Sequence, residues 1–242
     1  FEHAGVRLGC KVHLRWVDTS EVTRENVAET LAGLHGIVVP GAFGTRGADG
    51  KIACLEDART TGLPVLAICY GFQMAVIEYA RNLCGMADAN STEIEADCRF
   101  PVIDVLPEQK RIEGLGGTMR LGGHDIVITP GPLAARMFGA RPRLRFRHRY
   151  EVEPRYIEQL EAAGLVFSGR SPRAPIMHLL ELPPNVHPYY FDTQAHPDLT
   201  SRPLRPSPVF VGLVHAALRR AYPDYAEPLV YDAERDDLPR PS

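Results

Sequence analysis

Residues Leu63 to Gln73 read L-P-V-L-A-I-C-Y-G-F-Q, an apolar run of strand type that ends in one cysteine, with a glycine just beyond it where a helical pattern opens. That is the sequence form of a nucleophile elbow, a tight strand-to-helix turn that lifts one side chain clear of a sheet. A thiol placed there meets the first turn of a helix. The unpaired N–H groups and positive dipole end of that turn stabilise a thiolate, and they favour the oxyanion formed when the thiolate attacks a carbonyl. The chemistry Cys69 offers is therefore acyl transfer. The competing reading is a packed core cysteine, because cysteine is among the most buried residue types.

A cysteine nucleophile needs a base, and the base an orienting group. Among nine histidines, His196 lies in T-Q-A-H-P-D, directly after a strand-like run and two residues before Asp198. Residues i and i+2 of an extended segment project to one side, so the carboxylate can hold the imidazole tautomer and stabilise the imidazolium. The same tripeptide is also ordinary surface-turn chemistry. An oxyanion needs a second donor besides the backbone N–H of Tyr70. The stretch Pro40-Gly41-Ala42-Phe43-Gly44 can supply it, since glycines let a backbone approach a ligand closely, although a simple turn would read the same way.

The elements that must position these groups follow from periodicity. Val12 to Val17 alternates as a strand, with Val12, Leu14 and Trp16 on one face. A helix is expected over roughly Arg24 to Leu34, with Thr23 as N-cap, followed by a short buried strand, Ile37 to Val39. Lys51 to Thr61 reads as a helix stopped by Gly62-Leu63-Pro64, Val65 to Ile68 as a strand, and Phe72 to Cys84 as a helix with one apolar face. Alternating strands and helices imply a parallel sheet, whose ligands sit at the carboxyl ends of the strands. The Pro40–Gly47 loop and the Cys69 elbow both lie at such ends. From about 100 to 195, strand-like runs recur at Arg145–Val152, Leu165–Ser168, Pro175–Leu182 and Tyr189–Thr193, broken by one helix near Arg155–Ala163. A last amphipathic helix is expected from Pro208 to about Ala221. The fold expected is α/β: a three-layer, mostly parallel central sheet with helices on both faces and a mixed or antiparallel extension. One domain should span 1–222, and the proline-rich, acidic stretch 223–242 reads as a mobile tail.

The chain has 242 residues, enough for one large α/β domain, and a formal net charge of −3. No basic field points to nucleic acid, and no run approaches the roughly 20 apolar residues of a membrane span. Five scattered cysteines without a C-x-x-C argue against a disulfide framework or a zinc site and fit a cytoplasmic location. Phe1 to Ala4 reads like the middle of a helix, so a piece of a longer protein is expected.

Taken together, these stretches resemble the class I glutamine amidotransferases, in particular the glutaminase domains of the CTP synthase family. The family's elbow, roughly G-I-C-L-G-M-Q, stands here as A-I-C-Y-G-F-Q, and its oxyanion loop P-G-G-F-G-x-R-G as P-G-A-F-G-T-R-G. D-A-N-S-T-E (88–93), P-V-I-D-V-L-P-E-Q (101–109), G-G-T-M-R-L-G (116–122) and R-H-R-Y-E-V (147–152) separate this family from other amidotransferases. Q-A-H-P-D-L-T-S-R-P matches the family's Q-x-H-P-E-x-x-S-R-P. The resemblance runs from about 10 to 220.

The resemblance implies a flavodoxin-like fold and a set of roles. Cys69 would attack the side-chain amide of L-glutamine to form a γ-glutamyl thioester. His196 would activate the thiol and protonate the departing ammonia, with Asp198 orienting it. Backbone N–H groups of Tyr70, Gly41 and Ala42 would hold the oxyanion. The Phe43 backbone, Gln73, Glu93 and Arg149 would bind glutamine, with Tyr150 shaping the pocket. An α-amino acid needs a carboxylate for its ammonium and a cation for its carboxylate, and Glu93 and Arg149 supply them. No cofactor is implied in this region. In the family, ammonia passes to an N-terminal synthetase domain, where ATP and Mg²⁺ activate UTP for amination to CTP, and GTP stimulates the glutaminase step. That domain, and the first strand of the glutaminase domain, would be missing here. The full-length protein would be a homo-oligomer.

Five positions depart from the family pattern, of which Ala67 bears on packing only and the others on activity. Ala42 replaces a glycine and would be strained if its φ were positive. Asp198 replaces glutamate and is shorter by roughly 1.5 Å. Ala67 replaces a glycine before the elbow. Tyr70 and Phe72 replace smaller or more flexible residues and would narrow the pocket. An intact catalytic set with a reduced rate is expected. Two other readings stay open: a glutaminase-like module that binds a partner without turnover, and another cysteine hydrolase of γ-glutamyl substrates. Retention of Cys69, His196, Glu93 and Arg149 counts against the first, and the D-A-N-S-T-E and R-H-R-Y-E motifs against the second.

Overall fold

The structure is a computed structural model that describes residues 1–105 and 119–231. Of the expected stretches, 106–109, 116–118 and 232–242 lie outside the described residues. The central sheet has six strands. In chain order its members are β1 (Ile37–Val39), β2 (Val65–Ile68), β6 (Val127–Ile128), β9 (Val166–Arg170), β10 (Met177–Glu181) and β11 (Tyr190–Thr193). Across the sheet the order is β1-β2-β11-β10-β9-β6. β1, β2 and β11 run parallel, and β10, β9 and β6 extend the sheet in antiparallel fashion.

Period-2 alternation sends neighbouring side chains of each strand into different layers. Val65, Ala67, Leu180 and Tyr190 join one core with α2 (Val27–Leu31), α3 (Ala48–Thr61) and α4 (Tyr70–Leu83). Leu66, Ile68, Leu179 and Phe191 join the other, with α1 (Glu2–Leu8), α5 (Leu133–Phe138) and α7 (Pro208–Ala221). β2 is buried on both faces, which explains why its sequence reads as an unbroken apolar run rather than an alternating one.

A second sheet, β3 (Ala89–Ser91), β4 (Phe100–Asp104) and β8 (Glu151–Val152), packs beside α4. A third, β5 (Arg120–Asp125) with β7 (Arg143–His148), is an antiparallel pair. A short 3₁₀ turn and α6 (Ile157–Ala162) lead into β9.

Four expectations change. The expected strand Arg145–Val152 is split into β7 and β8, which belong to the two small sheets and do not extend the central one. Val12 to Val17 forms no strand. Its alternation is real, but Leu14 and Trp16 face solvent, Trp16 being 89% exposed. No strand pairs with the segment among the described residues, and alternation alone does not satisfy an extended backbone. α2 is shorter than Arg24–Leu34, because the Asn26 side chain ties residues 21 to 26 into a turn: its Oδ1 accepts from Thr23 N at 2.8 Å and its Nδ2 donates to Glu21 O at 2.9 Å. Asn26, not Thr23, holds the N-cap position. After Tyr222 the described chain folds back on α7 and α1: His215 Nε2 lies 2.8 Å from Glu227 O, and Arg7 donates to Val230 O at 3.0 Å. Among the described residues no helix is long and apolar enough to cross a membrane.

Candidate active site

Cys69 has φ 54° and ψ −102°, the one positive φ outside glycine among the described residues. A non-glycine residue persists in such a conformation only where its surroundings over-determine it. Those surroundings are visible on both sides. The Cys69 N–H donates to Thr193 O at 2.7 Å. On the helix side, a Cβ on Gly71 would lie 2.1 Å from Val39 O. α4 can start directly at the elbow, two residues before the expected Phe72, because Gly71 lets its backbone slide under the end of β1.

β11 lies parallel to β2, with Thr193 opposite Ile68, so both strands release their chains at the same end. His196 follows three residues on. Its N–H donates to Arg145 O at 2.7 Å, and the Cys69 thiol reaches Arg147 O at 3.7 Å. The backbone of β7 thus anchors both groups. His196 Nδ1 sits 3.3 Å from Asp198 Oδ1, so the shorter acid keeps the contact. Asp198, and after it the neighbouring Cys69, push the imidazole pKa up to about 10 against burial, while His196 Nε2 has no hydrogen-bond partner and the thiol is directed at Arg147 O. Burial pushes the Asp198 carboxyl up, but the hydrogen bond and charge of His196 outweigh it and hold the group below the usual carboxylate range.

The Pro40–Gly47 loop leaves β1 at the same end. A Cβ on Gly41 would lie 3.2 Å from His196 Cε1 and 3.6 Å from Cys69 Cβ, so the loop backbone closes directly on the pair. Ala42 has no positive φ, and the strain anticipated there is absent. Phe43 exposes 87% of its surface, leaving its backbone as the part able to serve a site. The Gly44 N–H donates to Glu93 Oε1 at 2.9 Å, and the Tyr70 hydroxyl donates to Gly44 O. The phenol of Tyr70 is buried and bound to the loop. The Tyr70 N–H belongs to the first turn of α4, where backbone donors have no intrahelical partner.

The described parts of three stretches that separate the CTP synthase family are neighbours in space. D-A-N-S forms β3 and P-V-I-D forms β4, paired in parallel. The Ser91 hydroxyl accepts from Glu93 N at 3.1 Å, and Thr92 donates to Asp104 at 2.6 Å, which fixes the turn that presents Glu93. β8, from R-H-R-Y-E-V, adds to the other edge of β4 and delivers Arg149 and Tyr150. Burial raises the Glu93 carboxyl, opposed by the Gly44 N–H and by the charge of Arg149. Gln73 is buried, and its Nε2 donates to Tyr150 O at 3.0 Å and to Gln194 Oε1 at 3.3 Å. Its Oε1 has no partner and stays open to a donor.

Cys69, His196, Asp198, Tyr70 and Gly41 therefore meet at one sheet end, with Glu93, Arg149, Gln73 and Tyr150 linked to them through β7, β8 and Gly44. Gln194 was not anticipated as a partner of Gln73, though it stands in the same T-Q-A-H-P-D run. Beneath this strand lies a second group the sequence did not reveal. Arg120 Nε donates to Glu151 Oε1 at 2.8 Å, and His148 Nε2 sits 3.0 Å from the same oxygen. Burial alone would raise the Glu151 carboxyl, but His148, with His178 and Arg120 behind it, holds it down at about 2.

The family model for glutamine amidotransferase class I matches residues 1–216. The CTP synthase of Archaeoglobus fulgidus is 52% identical over 219 residues, covering 90% of this chain and 40% of that relative. The CTP synthase of Haloarcula marismortui is 51% identical over 218 residues, covering 90% of this chain and 39% of that relative. The chain thus spans about two fifths of the length of these curated relatives. The glutaminase domain of the Trypanosoma brucei CTP synthase, solved with bound acivicin, superposes with a TM-score of 0.85 at 30% identity, covering 97% of this chain and 89% of that one.

Proposed function

We propose that this chain, which belongs to the class I glutamine amidotransferases and within them to the glutaminase domains of CTP synthases, hydrolyses the side-chain amide of L-glutamine. The observation that carries the reading is the meeting of Cys69, His196 and Gly41 at one sheet end, with Asp198 3.3 Å from the imidazole. Glu93 takes the substrate ammonium and Arg149 its α-carboxylate, while Gln73 and Tyr150 line the pocket between them.

The thiol proton passes to His196, and the sulfur attacks the amide carbon. The oxyanion is met by the N–H groups of Tyr70 and of the Gly41–Phe43 loop. The C–N bond breaks as the imidazolium protonates the leaving nitrogen, giving ammonia and a γ-glutamyl thioester. His196 then takes a proton from water, the hydroxide attacks the thioester, and glutamate leaves as the thiol is reprotonated.

As part of a CTP synthase, the chain would pass ammonia to a synthetase domain that aminates UTP to CTP with ATP and Mg²⁺. GTP would act as activator, and the full-length protein would be a cytoplasmic homo-oligomer. Among the described residues no group of three or more His, Cys, Asp or Glu is placed to hold a metal ion, and the sequence has no phosphate loop of the G-x-x-x-x-G-K-[ST] kind. The described residues do not fit Mg²⁺-ATP.

The test is intact-mass analysis after incubation with a diazo-ketone analogue of glutamine. One adduct, blocked by excess glutamine and lost in Cys69→Ala, supports the reading. A folded sample that forms no adduct refutes it.

A further inference from the structure

The loop that closes on Cys69 and His196 is held at three places. At its start, β1 pairs with β2 and ends at Val39. At its far end, Gly47 and Gly50 pack against Thr19, which also accepts from Lys51 Nζ at 2.9 Å. Between these ends, residues 41 to 43 are exposed. The nearest restraint on them is Gly44, whose two peptide groups are both engaged. Its N–H goes to Glu93 and its C=O receives the Tyr70 hydroxyl. Gly44 itself has φ 76°, a conformation that turns the chain sharply and that glycine alone adopts freely.

We propose that Tyr70 is a positioning residue for the oxyanion site, its hydroxyl latching Gly44 so that the Gly41–Phe43 backbone stays against Cys69 and His196. Tyr70 is the residue after the elbow, so its own N–H and the loop it latches face the same reacting carbonyl. One rigid ring joins the two halves of the hole. The ring is fixed in turn, being 1% exposed with Lys51 Nζ 5.9 Å from its centroid. Burial pushes the phenol pKa up to about 12, so the hydroxyl remains a donor at every pH at which the enzyme would work. A leucine at this position is smaller than the buried ring and leaves Gly44 O without this bond. The substrate subsite is coupled to the same latch, since Glu93 holds the other side of Gly44. The inference rests on the glutaminase reading for its rate consequences but not for its structural one.

The experiment compares the wild type with Tyr70→Phe and Tyr70→Leu in two measurements. Hydrogen exchange followed by mass spectrometry reports the backbone of the loop over 40–47. Steady-state ammonia release from glutamine reports kcat and KM. Tyr70→Phe keeps the buried ring, and its melting temperature checks that the fold is retained. The expected result is faster exchange in the loop in both variants, and a kcat lowered about 10-fold with KM within twofold. Unchanged loop exchange in Tyr70→Phe overturns the latch whatever the activity. Faster exchange with unchanged kcat overturns its role in positioning the hole. A wild type that neither releases ammonia nor forms the diazo-ketone adduct refutes the glutaminase reading instead, and the exchange result still decides whether the latch exists.

Discussion

The N–H of Cys69 donates to the carbonyl of Thr193 at 2.7 Å, one residue beyond the point where β2 and β11 pair in parallel. The elbow and the strand that delivers His196 are thereby fixed to each other through backbone alone. Side-chain changes at the site should accordingly alter chemistry without moving the two elements apart.

Gly71 is the exception, because its constraint is backbone against backbone. A Cβ there would lie 2.1 Å from Val39 O, and neither β1 nor the first turn of α4 can give way without opening the sheet end. Gly71→Ala should cost about 3 kcal/mol or more and abolish adduct formation at Cys69. Urea melts and intact-mass analysis on the same sample check both. A stable variant with normal labelling would show that the elbow tolerates a wider turn.

The elbow was legible in the sequence because its physics is local: a buried strand, one cysteine and a glycine within a few residues. The parallel pairing of β1 and β2 followed from the alternation of helix and strand, but the return of β11 to lie parallel beside β2 did not, since Tyr189–Thr193 reads only as part of a mixed extension. His196 and Asp198 were legible as a pair, but not through the extended geometry expected: β11 ends at Thr193, and His196 caps a 3₁₀ turn, Pro197–Leu199, that carries Asp198. Partners distant in sequence were not. Nothing local in A-N-S-T-E says that Ser91 and β4 hold Glu93 in place, or that Gln194 meets Gln73. Val12 to Val17 failed for the complementary reason, since a periodicity of two records which side chains share a face but not whether a neighbouring strand exists.

The Asp198 contact should limit the rate. At 3.3 Å it is long for a charge-assisted bond, and about half of the Asp198 side chain is exposed. Asp198→Asn should lower kcat about 10-fold by weakening the hold on the imidazolium. Asp198→Glu, with one more methylene, should raise kcat up to a few-fold by closing the gap. Glutamine hydrolysis measured at saturating substrate distinguishes them, and a loss in the glutamate variant would show that the shorter acid is already well placed.

The same pair gives a pH signature. The folded-state pKa of His196 is raised to about 10, so its contribution to stability is fully present below the ordinary histidine value of about 6.5 and is lost as pH rises through about 10. Asp198 is depressed, so its contribution is present above the usual carboxylate value and is lost as acid titrates it. The stability advantage of the wild type over His196→Ala should be greatest at about pH 6 and shrink toward about pH 10. Cys69→Ala, which removes the second cause of the shift, should lower the His196 titration midpoint followed by NMR.

Glu93 has two duties, and two substitutions separate them. Its Oε1 accepts from Gly44 N, while its charge faces Arg149 across the subsite that would hold the amino-acid head group. Glu93→Gln keeps an acceptor for Gly44 and loses the charge, so KM for glutamine should rise about 10-fold or more with a smaller change in kcat. Glu93→Ala loses both, and kcat should fall as well because Gly44 is freed on one side. Equal effects of the two variants on kcat would show that the Gly44 contact contributes nothing to the rate.

Glu151 tests whether the buried charges beneath β7 support the site from behind. Its side chain is fully buried, shared between Arg120 and His148, and held ionised down to about 2. Removing it leaves the half-buried Arg120 and the buried His148 without their anionic neighbour, so Glu151→Ala should cost about 3 kcal/mol. Glu151→Gln keeps the shape and one acceptor but drops the charge, so it should be destabilised less. Both should weaken glutamine binding, because Glu151 sits in β8, two residues beyond Arg149, and His148 ends the strand whose Arg145 and Arg147 carbonyls hold His196 and Cys69. Isothermal titration of glutamine against Cys69→Ala, with and without Glu151→Gln, measures this apart from turnover. Unchanged affinity in the double variant would confine the cluster to a structural role.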